Sequence, residues 1–179
     1  MVIAAAALVA ACSGPKHAGN VEPASWARHV CAGLGAWRTA ITRDDATLTS
    51  TLRTNTSTTT NVKRAYTAYY GRAVTQTDAL VRALKTAGDP DVENGKPYAA
   101  GLRGTVAAFR QALAETRSSF AALPAGGLAA YRTGARQLAQ RLATATARVS
   151  AALPALDERY GSKALTRALA EDTACSSLG

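Results

Sequence analysis

Apolar residues recur in alternating steps of three and four along most of the chain, the spacing that places them on one face of an α-helix. Four such stripes, separated by polar or Gly/Pro-rich breaks, predict four long helices. The predicted helices cover residues 26–52, 62–84, 98–123 and 128–152. Ser25 is the candidate N-cap of the first helix, and Gly88 ends the second. Strand signals are nearly absent, so the sequence predicts an all-α fold.

A short C-terminal segment is expected to fold back onto these helices. Pro154 can open a further helical turn over residues 155–160, after which Gly161 reverses the chain and Ser162 caps a last helix. Four helices of similar length joined by short or moderate loops pack up-down-up-down. The predicted architecture is therefore an up-down four-helix bundle with a short C-terminal helix.

The loop between the second and third helices is acidic. It carries Asp89, Asp91 and Glu93 within five residues. A calcium loop needs the D-x-D-x-D-G spacing and a distal glutamate, and this segment has neither. We therefore interpret this segment as a solvated loop. The stretch at residues 54–61 is polar and β-branched, which predicts a second loop or a frayed helix end.

The chain begins with an uncharged apolar run, residues 2–11, which has the length of the hydrophobic part of a secretory signal and is too short to span a bilayer. The stretch Val9-Ala10-Ala11-Cys12 resembles the lipobox of bacterial lipoproteins. The resemblance implies cleavage by signal peptidase II directly before Cys12 and a diacylglycerol thioether on that cysteine. Residues 13–25 are rich in Gly, Pro and polar side chains, and this composition predicts a flexible tether.

These features divide the chain into a signal peptide (1–11), a lipidated cysteine with its tether (12–25) and a helical bundle domain (26–179). The domain is then expected outside the cell, attached to the outer face of the cell membrane by lipid at Cys12. No Lys or Arg precedes the apolar run, so either a basic leader lies upstream of Met1 or the run is a poor signal. The alternative is a buried N-terminal helix with an incidental cysteine.

The three cysteines need an explanation in an exported protein. With Cys12 assigned to lipid, Cys31 and Cys175 are expected to form a disulfide in an oxidising compartment, closing the bundle. Helix lengths support the pairing. If residues 155–160 continue past the start of the first helix and the last helix then runs back along it, Cys175 lies level with Cys31. Two buried free thiols are the alternative. A zinc or redox site has less support, since there is no C-x-x-C motif and only two histidines are present.

Composition adds charge to this picture and little chemistry. The net charge is +9, 16 of the 21 basic residues are arginine and 42 residues are alanine. This usage resembles that of small secreted lipoproteins of high-GC Gram-positive bacteria. No His pair, Glu-x-x-His motif, phosphate loop or nucleophile elbow is present. We therefore expect no catalytic residue, metal or cofactor, and no nucleic-acid partner outside the membrane.

The arginines form rows with heptad spacing. Arg103, Arg110 and Arg117 follow one side of the third helix, and Arg141 and Arg148 follow one side of the fourth. Such rows usually cover apolar surface with their stems and remain solvated. Beside a lipid anchor, however, they could bind an anionic membrane, an envelope polymer or an acidic protein face. The first functional hypothesis is therefore a non-enzymatic binding or scaffolding lipoprotein at an anionic surface.

Tyrosines supply a second hypothesis, in which the protein carries a small hydrophobic or anionic ligand. A slot between helices would be lined by Tyr66, Tyr69, Tyr98 and Tyr131. Helical spacing alone also explains these residues as core and rim positions. An open tyrosine-lined cavity with a nearby arginine would favour the carrier, and a filled seam would favour the scaffold.

Overall fold

The structure is a computed structural model that describes residues 20–54, 58–124 and 127–176. The predicted signal peptide, Cys12 and residues 13–19 of the predicted tether lie outside the described residues. In chain order the elements are β1 (Asn20–Val21), α1 (Pro23–Thr54), α2 (Thr59–Thr86), β2 (Asp89–Pro90), α3 (Gly95–Ala122), α4 (Leu128–Tyr160), α5 (Lys163–Glu171) and α6 (Thr173–Ser176). The predicted bundle of four long helices with a short C-terminal addition is confirmed.

α1 begins earlier than the sequence predicts, because Glu22 caps it. Its carboxylate accepts hydrogen bonds from the backbone N–H groups of Ala24 at 3.1 Å and Ser25 at 2.9 Å. These bonds hold the pKa of Glu22 below its usual value. Pro23 occupies the first helical position, where no N–H is needed. Ser25 is thus not the N-cap, and residues 20–25 belong to the folded domain rather than to a tether.

Hydroxyl caps begin two other helices. The Thr58 side chain accepts a hydrogen bond from the N–H of Asn61 at 3.2 Å, so α2 starts inside the polar stretch that was predicted as a loop or a frayed helix end. The Ser162 side chain accepts from the N–H of Leu165, also at 3.2 Å, which confirms the predicted cap of α5.

The C-terminal segment returns to the start of α1. α4 continues through Pro154 to Tyr160, so the turn predicted over residues 155–160 is the end of α4 rather than a separate helix. α5 reverses direction and α6 brings Cys175 to Cys31. The two cysteines form a disulfide with their Cα atoms 4.9 Å apart, which confirms the predicted pairing.

Two apolar clusters fill the bundle. The first lies at the disulfide end and draws on α1, α2, α3 and α5; its members include Trp26, Val30, Leu80, Leu84, Tyr98, Leu102 and Leu165. The second lies toward the other end and draws on α2, α3 and α4; its members are Tyr70, Ala73, Val74, Leu113, Phe120 and Leu138. Leu165 has no exposed surface, so α5 seals the first cluster.

α4 is the least embedded of the long helices. It packs along α3 and buries only Tyr131 and Leu138. α1 and α4 would be neighbours in a closed four-helix bundle, but here they do not pack along their lengths. α5 packs against α1 at the disulfide end. At the opposite end a groove remains between α2, α3 and α4.

A two-residue parallel bridge joins β1 to β2, pairing Asn20 with Asp89 and Val21 with Pro90. The N–H of Asp91 extends it by donating to the Val21 carbonyl at 2.7 Å. A bridge this short has no periodic pattern, which is why the sequence did not predict it. Within the described ranges, no helix combines the length and the apolar character that crossing a bilayer requires.

Candidate ligand-binding groove

The arginine row on α3 is largely paired with carboxylates. Arg103 donates to Asp89 at 2.9 Å and to the Gly88 carbonyl at 3.1 Å. Arg110 holds Asp78 of α2 with two bonds of 2.8 and 3.2 Å, which lower the pKa of that carboxyl. The row is partly exposed, but two of its three members are ion-paired with carboxylates of α2 and β2 and do not present unpaired charge.

The remaining predicted arginines have different surroundings. Arg117 lies over α2 beside Gly71, where its Nε is 3.5 Å from the point that a β-carbon would occupy. Arg141 and Arg148 are exposed on α4 and line a shallow groove along α3 together with Glu115. The five arginines consequently do not form one continuous anion-binding surface.

Tyr98 does not belong to a slot with the other tyrosines. It lies at the disulfide end, where its hydroxyl donates to Asp157 at 2.9 Å and its ring meets Trp26 edge-on at 5.9 Å. Burial and the Asp157 carboxylate raise its pKa. Tyr69 is also elsewhere, since it is not among the lining residues of the groove between α2, α3 and α4 and lies near Asp45 of α1; burial and this carboxylate raise its pKa. The predicted four-tyrosine slot is thus wrong in two of its members.

Tyr66 and Tyr131 do lie together, in a groove that also contains two aromatic residues the sequence analysis did not assign to it. Tyr66 stacks on Phe120 with ring centroids 5.1 Å apart and planes 15° apart. Tyr70 stacks on the same Phe120 at 5.3 Å. Three mutually packed rings from α2 and α3 therefore form an aromatic wall, and Tyr131 of α4 faces the groove from its first turn.

The groove has a volume of about 660 Å³ and is open to solvent. That volume is within the range of roughly 300–1,000 Å³ that is usual for small-molecule sites. Small side chains on α4 keep it open, because Ala135 and Ala139 occupy lining positions where a leucine would fill the space. Arg132 and Arg136 lie one turn apart at its rim, and none of the described residues that line it is a carboxylate.

Tyr131 carries the most unusual feature of the groove. Its side chain is buried, and its hydroxyl has no hydrogen-bond partner among the described residues. Burial and the neighbouring Tyr66 raise its pKa, so the hydroxyl remains protonated and able to donate at neutral pH. An unmade hydrogen bond at a buried polar group costs about 1–3 kcal/mol. Because this oxygen is closed off from solvent, a ligand oxygen would have to displace a neighbouring side chain to reach it and remove that cost.

The sequence contained a signal for this site that the analysis did not use. Arg132 and Arg136 are four residues apart and immediately follow the seam positions Tyr131 and Ala135, so all four lie near one face of α4. Phe120 is a seam position of the third predicted helix, and Tyr70 adjoins the seam position Tyr69 of the second. Nothing in the periodicity shows which seam positions remain uncovered.

Comparison of the chain with known protein families, with curated proteins and with solved structures found no match. The groove therefore has to be interpreted from its own chemistry.

Proposed function

We propose that this protein is an envelope lipoprotein that binds a small amphipathic ligand in the groove between α2, α3 and α4. The observation that carries the proposal is the buried Tyr131 hydroxyl, which lacks a partner among the described residues and lies beside a wall of stacked aromatic rings. The open tyrosine-lined groove with adjacent arginines favours a ligand carrier over a purely structural scaffold.

The lining defines the chemistry of the ligand. The half-buried ring of Tyr66 offers apolar surface for an aromatic or acyl body, and the buried rings of Tyr70 and Phe120 support it from within the core. The Tyr131 hydroxyl is a donor for an oxygen acceptor on the ligand. The guanidinium groups of Arg132 and Arg136 favour an acceptor that carries negative charge. A carboxylate, sulfonate or phosphate joined to an apolar body satisfies all three requirements. The residues around the groove support binding rather than catalysis, because none forms a nucleophile–base pair.

Attachment to the membrane is part of the same proposal. Its support is the lipobox-like stretch before Cys12 and the polar, Gly/Pro-containing segment after it. Cells grown with an alkyne-labelled fatty acid should incorporate the label into this protein, and Cys12→Ser should abolish it. Equal labelling of the two forms would refute lipidation and leave the groove proposal untouched.

Ligand binding can be tested with 8-anilinonaphthalene-1-sulfonate, which combines aromatic rings with an oxyanion. The protein would be the full chain carrying Cys12→Ser. Ala139→Trp fills the groove and should raise the dissociation constant at least about tenfold, because a ring-sized side chain excludes the probe from its contact surface. Ala147→Trp is the matched control, since Ala147 is exposed on the same helix and lines no groove described above.

Charge at the rim is tested separately. Arg132→Gln with Arg136→Gln should weaken binding of the sulfonate and leave binding of N-phenyl-1-naphthylamine, which has no charge, almost unaffected.

The tryptophan variants decide whether the probe binds in the groove at all. Equal affinity of Ala139→Trp and Ala147→Trp for the sulfonate would show that the probe binds outside the groove and would refute the proposed function.

A further inference from the structure

A second groove lies on a different face of α2, where α2 packs against α3. Its volume is about 750 Å³. Four basic residues line it, together with threonine hydroxyls and small side chains, and no carboxylate is among the lining residues. The basic residues are Lys63, Arg64, Arg72 and Arg117. We call this the basic groove.

Each basic side chain keeps donors that can point into the groove. Arg72 uses its Nε to bind Asp44 of α1 at 2.6 Å, which leaves its terminal nitrogens. Lys63 donates one bond to the Leu123 carbonyl at 2.8 Å and retains two further N–H groups. The contact of Arg64 with Asn61 is long, at 3.4 Å, and involves no acid. These partners fix the side chains near the groove without filling it.

Arg117 has no carboxylate partner among the described residues, and it lies beside Gly71 of α2. Its Cζ is 3.7 Å from the point that a β-carbon of residue 71 would occupy, an ordinary contact distance. The guanidinium therefore lies against the α2 backbone. A residue larger than alanine at position 71 would occupy the floor of the basic groove.

The contrast with the other arginines indicates what the groove selects. Arg103 and Arg110 bind Asp89 and Asp78, and the groove along α4 contains Glu115. In the basic groove Asp44 offsets one charge from behind, which leaves an excess of three positive charges around one concave surface. Guanidinium groups recognise phosphate with paired hydrogen bonds, and threonine hydroxyls add donors of lower strength.

We propose that the basic groove binds phosphate esters, with the glycerophosphate head group of an anionic membrane lipid as the source; the choice of a lipid rests on the membrane attachment proposed above. This site is separate from the aromatic groove and does not depend on the ligand proposed there. The proposed anion site also differs from the predicted row on α3. Of the residues in that row, the basic groove contains only Arg117.

The test uses the full chain carrying Cys12→Ser, titrated with glycerol 3-phosphate and, in a second arm, with vesicles of phosphatidylglycerol or phosphatidylcholine. Arg64→Gln with Arg117→Gln should raise the dissociation constant for glycerol 3-phosphate at least about tenfold, the loss expected for one or two charge-assisted hydrogen bonds. Arg141→Gln with Arg148→Gln removes the same charge from α4 and should change it less than about twofold, an effect of screened long-range charge.

The vesicle arm identifies the source. Selective loss of phosphatidylglycerol binding in the Arg64/Arg117 variant supports the lipid head group. If the Arg64/Arg117 variant loses affinity for glycerol 3-phosphate but binds phosphatidylglycerol vesicles as the parent does, the groove binds a soluble phosphate ester, and the lipid is refuted as the source. Equal losses in the two double variants, or no binding of either phosphate probe, would overturn the proposal. All four positions are solvent-exposed, and circular dichroism checks that the variants remain folded.

Discussion

Removing the disulfide by replacing Cys31 and Cys175 with serine is expected to lower the free energy of unfolding by about 5 kcal/mol. The two cysteines are 144 residues apart in sequence, and on the chain-entropy model a cross-link of that span removes a large part of the freedom of the unfolded chain. Small domains are typically stable by only about 5–15 kcal/mol, so the variant should be close to the limit of folding.

Urea denaturation of the oxidised protein and of the double serine variant, both carrying Cys12→Ser, measures this difference. The single variant Cys175→Ser is a second check, because it also removes the bond but keeps the buried Cys31 side chain. A loss below about 1 kcal/mol would show that the loop is already constrained in the unfolded state. Alkylation of both thiols in the folded protein without reductant would show that the bond does not form.

Trp26→Ala is expected to destabilise the protein by about 4 kcal/mol, because truncation of a large buried aromatic side chain leaves a cavity. Trp26 is 1% exposed and meets Tyr98 edge-on. Its indole N–H donates to the Gly88 carbonyl at 3.1 Å, so it ties the start of α1 to the end of α2. Denaturant unfolding of the two proteins measures the loss.

Trp26→Phe provides the matched control for packing without the indole donor. Arg103 also donates to the Gly88 carbonyl, which therefore keeps a partner when the indole is removed. The expected cost of Trp26→Phe is about 1–2 kcal/mol, a lost hydrogen bond and a smaller ring. If alanine and phenylalanine at position 26 were equally destabilising, the side chain would act through its hydrogen bond rather than by filling the core.

Much of the fold could be predicted because it depends on local rules. The 3-and-4 spacing determines which positions face inwards, and the constant rise of a helix places Cys175 level with Cys31. The cap at Ser162 follows from its hydroxyl and from Gly161 before it. The start of α1 was missed because its cap is Glu22, a residue type that is weaker as a sequence signal than the serine three positions later.

The error in the tyrosine slot was avoidable. Consecutive helices in an up-down bundle run in opposite directions, so the first turns of α3 and α4 lie at opposite ends. Tyr98 and Tyr131 belong to those two first turns and cannot share a slot. Spacing along a seam predicts the face of a helix, and the topology must be added to predict the position along the axis.

Other features could not be derived from one sequence. The pairing of Arg110 with Asp78 depends on how α3 is rotated against α2, and heptad spacing alone does not determine that rotation. The aromatic groove depends on how α4 packs along α3 beside α2, which is decided by packing forces spread over the whole bundle. The unpartnered hydroxyl of Tyr131 is likewise visible only in three dimensions.

The most direct test of the ligand-binding proposal compares Tyr131→Phe with the parent protein in two measurements, unfolding free energy without ligand and affinity for 8-anilinonaphthalene-1-sulfonate. If the hydroxyl is buried and unpaired until a ligand binds, the variant should be more stable by about 1 kcal/mol and should bind the probe about tenfold more weakly. A variant that is less stable than the parent would show that the hydroxyl already has a partner, and a variant that binds the probe equally well would show that the ligand does not bind the hydroxyl. Either result would contradict the proposal.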